Sequence, residues 1–168
     1  FAKEGCQTIG ADFTYQMLAK APPKAEKKKV NVDWVQADAQ QLPFADDSFN
    51  VVSIAFGIRN VENIELAMQE CRRVLKEGGR LVVLEFFPIP NPVWRFLFRV
   101  YFLRVLPVIA AVVRAGRTGA YTYLPESVDA FYTANAFAKL LTSNGLQLLS
   151  DTALTGGVSR LLVAVKKS

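Results

Sequence analysis

A chain of 168 residues is long enough for one domain that buries about two-thirds of the surface its unfolded form exposes. Hydrophobic residues make up 51% of it and charged residues 21%, a balance that excludes a disordered or fibrous protein. Twenty Lys and Arg against fifteen Asp and Glu leave a net charge of +5, a weak general preference for acidic membranes or nucleic acid; two cysteines and no histidine argue against a disulfide framework, a zinc site and a Cys/His nucleophile.

Residues 8–12, TIGAD, read as a short strand ending in an acid, with Thr14 placed to cap a helix through YQMLAKA. Lys24, Lys27, Lys28 and Lys29 form a polar run expected to be a solvated loop. No basic-aromatic surface motif accompanies it, so nucleic acid is not an expected partner. A second strand, NVDWVQA at 31–37, ends at Asp38. FNVVSIAF at 49–56 is a third, whose nearly continuous apolar character suits a sheet paired in parallel and covered on both faces. Asn63 can cap the next helix, where Ala67, Cys71, Val74 and Leu75 form one buried stripe, and Gly78-Gly79 is expected to end it. RLVVLEF at 80–86 completes the order strand, helix, strand, strand, helix, strand. That alternation predicts an α/β fold with a doubly wound, mostly parallel sheet.

From Pro88 to Gly116 the chain is strongly apolar yet carries Arg95, Arg99, Arg104 and Arg114. The arginines and Pro107 spoil a bilayer span, which wants about twenty apolar residues with few charges. Two readings remain: a packed helix broken at Pro107, or a greasy lid or membrane-surface element whose arginine stems snorkel beside lipid. A final helix over 133–144 closes at Gly145, and two strands around Gly156-Gly157 should form an antiparallel hairpin.

In an open α/β sheet, ligands bind beyond the carboxyl ends of the strands, which here carry Asp12, Asp38, the group Gly57/Arg59/Asn60, and Glu85. An acid after a strand can accept two hydrogen bonds from a ribose diol, and Asp12 fits that role, although Asp also starts turns and caps helices. Asp38, followed by AQQLPF, can hold a purine amino group against Leu42 and Phe44. Arg59 is either a functional cation at the mouth of the third strand or a surface ion-pair partner of Glu62. No G-x-G spacing occurs anywhere, so the glycine-rich turn that a nucleotide-type site normally uses is absent.

Taken together, GADFTYQML, VQADAQQLPFADDSFNVVSIAFGIRNV, CRRVLKEGGRLVVLEF and AYTYLPESV resemble the ubiquinone/menaquinone biosynthesis C-methyltransferase family, within the class I S-adenosylmethionine-dependent methyltransferases, over about residues 8–157. The resemblance implies a Rossmann-like sheet and S-adenosyl-L-methionine as cofactor, held by Asp12, Phe13, Asp38, Ala39, Ala55 and Phe56. It implies that Arg59 and Asn60, in the family's F-G-x-R-N motif, meet a prenylated quinol, with Tyr121, Tyr123 and Ser127 of the Y-x-Y-L-x-E-S segment also binding substrate. No metal is implied. Family members carry an upstream first strand and glycine-rich turn that this chain lacks, and that strand would lie between those starting at Thr8 and Phe49. The chain is therefore expected to be the C-terminal part of a longer polypeptide: one N-terminally incomplete domain, 1–168, with an apolar helical lid at about 88–120. Two further departures are a C-terminus without the family's frequent histidine and arginine, and Phe131-Tyr132 in place of Phe-Pro or His-Pro.

Methyl transfer to an aromatic carbon needs an electron-rich ring, so a hydroquinone hydroxyl should lose its proton before or as the carbon attacks. An arginine is a poor proton acceptor, which suits Arg59 to hold the developing oxyanion, directly or through an oriented water, while Asn60 fixes that water or the second oxygen. Residues 93–113 with Tyr121 and Tyr123 are expected to line a groove for the prenyl tail. Arg95, Arg99 and Arg104 would hold the protein, in the cytoplasm, at the inner face of an anionic membrane. A homodimer through the apolar lid is also open. The competing expectations are methylation of another lipophilic small molecule on the same fold, and a non-catalytic fragment.

Overall fold

Apolar residues that alternate with polar ones build strands here, and those that recur every three or four build helices. The computed structural model describes residues 1–101, 104 and 127–167. In chain order these form β1 (Ile9–Asp12), α1 (Tyr15–Leu18), α2 (Pro22–Lys27), β2 (Asp33–Gln36), β3 (Phe49–Ala55), α3 (Ile64–Val74), β4 (Leu75–Phe86), α4 (Pro92–Val100), α5 (Ala134–Ser143), β5 (Leu146–Leu154) and β6 (Ser159–Lys166). Strands β1 and β2 pair in parallel as a two-stranded sheet, and the other four form a sheet in the order β3-β4-β6-β5. Strand β3 is parallel to β4, while β6 is antiparallel to both β4 and β5, so the hairpin expected around Gly156-Gly157 is present. The two sheets share no ladder: β1 pairs only with β2, and β3 only with β4.

The core lies on one face of the larger sheet. Leu81 and Val83 of β4 and Leu162 and Ala164 of β6 meet Ala67, Met68 and Cys71 of α3 and Phe137 and Leu141 of α5. Burying each large apolar side chain contributes about 1.5–3 kcal/mol relative to leaving it exposed. Phe87, Phe131 and Phe137 pack their rings at centroid distances of 5.4–5.7 Å, so Phe131, half of the unusual Phe131-Tyr132 pair, is a core residue. Helix α3 starts as its sequence requires, with the Asn63 side chain accepting the Leu66 N–H at 3.1 Å, and its stripe Ala67, Met68, Cys71 and Val74 is buried.

Several elements differ from expectation. Helix α3 ends at Val74, not at the glycine pair, because Leu75 is already extended and paired with Phe49 of β3. Gly78 (φ +71°) and Gly79 instead serve an excursion within β4, after which pairing resumes at Val51 with Arg80. A Cβ at Gly79 would sit 2.7 Å from the Lys76 carbonyl oxygen, so only glycine fits. Lys24 and Lys27 lie in α2, which the Pro22-Pro23 pair initiates, and not in a loop. Thr14 gives no side-chain cap to α1; its own N–H donates to Asp12 Oδ1 at 2.8 Å, which fixes the turn between β1 and α1. Strand β3 is an edge strand whose Val51, Ser53 and Ala55 face outward and are exposed, so it is not covered on both faces. The break expected at Pro107 lies outside the described residues.

Strand β6 also pins the opposite end of the sheet from the strand ends considered below. Lys166 Nζ donates to Asp47 Oδ1 and to the Leu75 carbonyl oxygen, both at 2.7 Å, tying the start of β4 to the turn before β3.

Candidate active site

Because β1 is parallel to β2 and β3 to β4, the carboxyl ends of each pair lie on one edge of their sheet, and each end delivers a polar group. Asp12 closes β1 opposite Gln36 of β2, and the Ala37 N–H donates to the Asp12 carbonyl. Asp38 follows β2; its carboxylate accepts the Gln40 N–H at 2.8 Å and the Gln40 side-chain amide at 3.2 and 3.3 Å. The same Gln40 amide accepts the Asn63 N–H at 2.9 Å, which links the end of β2 to the segment between β3 and α3. Hydrogen bonds therefore bridge the two sheets where their ladders do not.

The segment after Asp38 is clamped to α3. Arg73 donates to Glu70 through Nε (2.6 Å) and Nη2 (2.8 Å), to Asp46 (2.8 Å), and to the carbonyls of Phe44 (2.7 Å) and Leu42 (2.9 Å). Glu70 in turn accepts the Leu42 N–H at 2.8 Å. The Arg73 hydrogen bond, ahead of the opposing effect of burial, pulls the Glu70 carboxyl below its ordinary range, and the Leu42 N–H adds to it. The hydrogen bonds Arg73 donates to Glu70 and then to Asp46 raise its guanidinium in turn. Loop 41–46 is thus held by a charge-assisted hub, and with it the approach to Asp38.

At the ends of β3 and β4 the chain builds an aromatic and cationic corner. Phe56 adopts φ +55°, a left-handed conformation costly for an aromatic residue and characteristic of functional turns. Its ring lies 4.6 Å from that of Phe86 at the end of β4. Ile58–Asn60 then forms a 3-10 turn that buries Ile58 in the core and swings Arg59 back across β4. The Arg59 guanidinium lies 5.6 Å from the centre of the Phe86 ring and forms an ion pair with Glu85 through Nη1. It also donates through Nη1 to the Phe56 carbonyl (3.4 Å) and through Nε to Ser127 Oγ (3.3 Å). The side chain is 8% exposed and that of Glu85 is 0% exposed. This overturns the surface pairing of Arg59 with Glu62: the strand end turns the arginine inward, where a carboxylate on the core face of β4 meets it.

Of the residues singled out in the sequence, Arg59, Phe56 and Ser127 meet directly at this corner. Ala55 is the last residue of β3, and Asn60 is exposed on the same 3-10 turn. Asp12, Phe13, Asp38 and Ala39 gather at the ends of β1 and β2; the Phe13 side chain is largely exposed, and its carbonyl accepts the Gln36 amide at 3.0 Å. Tyr121 and Tyr123 lie outside the described residues. Sequence reasoning noted Glu85 at a strand end but had no signal pairing it with Arg59, since 26 positions separate them. Phe86 escaped notice altogether, because an aromatic at a strand end reads as core.

Beside Phe86, an apolar pocket opens beneath α4, lined by Phe86, Phe87, Ile89, Phe98, Val128 and Val158, with Arg95, Arg99 and Asp129 at it. Helix α4 is exposed along most of its length, its two arginines included. Arg95 donates to the Ile89 carbonyl (2.8 Å) and Arg99 lies 3.5 Å from Asp129, the Trp94 indole lies against Gly156, and Val93, Phe96, Leu97 and Val100 are exposed apolar residues. Among the described residues no helix is long and apolar enough to cross a membrane.

The sequence model of the ubiE/COQ5 methyltransferase family matches residues 1–166. A protein of Thermus thermophilus named demethylmenaquinone methyltransferase is 45% identical over 159 residues, which cover 95% of this chain and 71% of that protein. A Bos taurus protein named 2-methoxy-6-polyprenyl-1,4-benzoquinol methylase, mitochondrial, is 39% identical over 156 residues, 92% of this chain and 47% of that protein. The chain thus spans between about half and seven-tenths of the length of these relatives. A solved SAM-dependent methyltransferase from Aquifex aeolicus superposes with a TM-score of 0.67 at 15% identity, covering 95% of this chain and 69% of that one, a likeness of fold. The family model, which spans nearly the whole chain, and the relatives agree: the chain belongs to the ubiE/COQ5 methyltransferase family.

Proposed function

We propose that this chain carries the acceptor corner and part of the cofactor site of an S-adenosyl-L-methionine-dependent C-methyltransferase acting on a prenylated quinol, a demethylmenaquinol or a polyprenyl benzoquinol. The single observation that carries the reading is the buried Arg59, held after the end of β3 over the Phe86 ring in a chain without histidine. The carboxylates at the ends of β1 and β2 fit the cofactor: both are hydrogen-bond acceptors, which suits Asp12 to ribose hydroxyls and Asp38 to the adenine amino group. Phe13, Ala39, Ala55 and Phe56 would border the same space. When bound, S-adenosyl-L-methionine supplies an electrophilic methyl group on its sulfonium.

The chain's own residues act on the acceptor. As the quinol hydroxyl passes its proton to a water that carries it to solvent, the Arg59 guanidinium stabilises the negative oxygen, directly or through that water, and Asn60 orients the water or the second oxygen. Phe56 and Phe86 offer faces on which a flat ring can stack. Ser127 keeps the guanidinium edge in place, and Tyr121 and Tyr123 would complete the substrate side. The apolar pocket beneath α4 suits the first part of a prenyl tail, and the helix, with the chain onward to about residue 120, would act as a lid.

The exposed apolar face of α4 supports peripheral association with an anionic bilayer, at the inner, cytoplasmic face where such quinols reside. The same face would be buried if two copies paired instead.

The test is turnover with prenylated benzoquinol and naphthoquinol acceptors by the full-length protein and its Arg59→Lys variant. The variant is expected to bind cofactor normally and to lose turnover on the order of a hundredfold, the size of one oxyanion donor. Near-normal turnover refutes the role of Arg59, and transfer only to other lipophilic acceptors replaces the substrate class.

A further inference from the structure

Glu85 is the most deeply buried charged residue described, and its partners all lie at the acceptor corner. The carboxylate projects from the core face of β4, in line with Leu81 and Val83, where an apolar side chain would be ordinary. Three donors converge on it: Arg59 Nη1 and the Phe86 N–H (2.7 Å) on Oε1, and the Arg59 backbone N–H (3.5 Å) on Oε2. A buried ion pair is a weak stabiliser compared with well-packed apolar residues, so stability alone does not account for a carboxylate here. What it does achieve is orientation. Glu85 grips the turn that carries Arg59 and one end of its guanidinium, and Ser127 takes Nε. Among the described residues Nη2 makes no hydrogen bond.

We propose that Glu85 is a positioning residue for the acceptor: its carboxylate fixes the Arg59 guanidinium across the Phe86 ring with Nη1 and Nε engaged, so that Nη2 is the donor presented to the acceptor oxygen. This rests on the reading that Arg59 holds that oxygen. Glu85 itself does not touch the substrate and acts only through Arg59.

The experiment is a double-mutant cycle in the full-length protein with Glu85→Gln, Arg59→Lys and both together, following kcat and KM for a short-tailed prenyl quinol and cofactor affinity by calorimetry. Glu85→Gln is expected to lower kcat about thirtyfold, somewhat less than the hundredfold that a misplacement of about 1 Å can cost, with cofactor affinity within about threefold of the parent. Combined with Arg59→Lys it should add nothing beyond the loss that Arg59→Lys causes alone. Losses that multiply, or a Glu85→Gln kcat within about twofold of the parent, overturn the proposal. If Glu85→Gln does not fold, Glu85→Asp keeps the charge but shortens the reach, and the same lack of added loss is expected and decisive. A second readout is independent of turnover: the Arg59 Nη1–H resonance, which the Glu85 carboxylate accepts, should be resolved and protected from exchange in the parent and lost in Glu85→Gln or Glu85→Asp. Its persistence in the variant overturns the positioning role, whereas a parent inactive on every quinol would overturn only the functional reading on which it builds.

Discussion

Cys71 shows how thoroughly packing can silence a reactive group. It lies in α3 at 1% exposure, and burial, reinforced by the neighbouring Glu70 charge, pushes its thiol up to about 12. Cys6 is exposed. A thiol reagent at pH 8 should therefore modify Cys6 alone, with Cys71 reacting only in denaturant; rapid modification of both in buffer would contradict this packing. The same burial makes stability depend on pH. The unfolded chain gives up this proton near pH 8.5 and the folded chain keeps it to about 12, so stability should fall as pH rises across that interval, read from urea midpoints. Single residues were legible in the sequence wherever their chemistry was local. Asp12, Asp38 and Arg59 follow strands whose patterns end where they begin. Glu85 was not legible as a partner, because what makes it one is a contact between two strand ends that no local pattern encodes.

Elements were legible to the extent that hydrophobic period decides them. The stripe of α3 and the apolar run of β4 stand where periodicity puts them, but the boundary between them does not. Gly78-Gly79 has the composition of a helix terminus, yet pairing of Leu75 with Phe49 claims the chain earlier, and the glycines are used to turn a strand excursion. Helix α4 was ambiguous in sequence because arginines and apolar residues alternate along it. In the structure Arg95 and Arg99 have local polar partners, the Ile89 carbonyl and Asp129, on a helix that is mostly exposed. Its exposed apolar face leads to an expectation at this scale: the protein should float with liposomes containing acidic lipid, and Phe96→Glu with Val93→Glu should abolish flotation without lowering the melting temperature. Both side chains are more than half exposed, so the fold loses little by the change. Flotation unaffected by the substitutions would remove the membrane role of α4, and a parent that sediments as a dimer through that face would replace it.

At the scale of the whole molecule, the α/β class was readable from the alternation of patterns, whereas the order β3-β4-β6-β5 was not, since strand order depends on pairings distant in sequence. Two strands alone make a marginal sheet, while β4 and β6 each have a neighbour on both sides. Hydrogen exchange should therefore show β4 and β6 as the slowest amides and β1 and β2 exchanging much sooner, by local opening. Equal protection of both sheets would mean that the hydrogen bonds through Gln40 and the clamp on loop 41–46 couple them more tightly than their separate ladders indicate.

The place of β6 has a consequence for biogenesis. It leaves the ribosome after β4 and β5, yet it sits between them, so both of those wait with an open flank until it is translated. Until Lys166 emerges, each growing polypeptide offers two sticky β-edges to its neighbours on a polysome. Slow translation of the β6 segment would prolong that exposure and favour capture by chaperones.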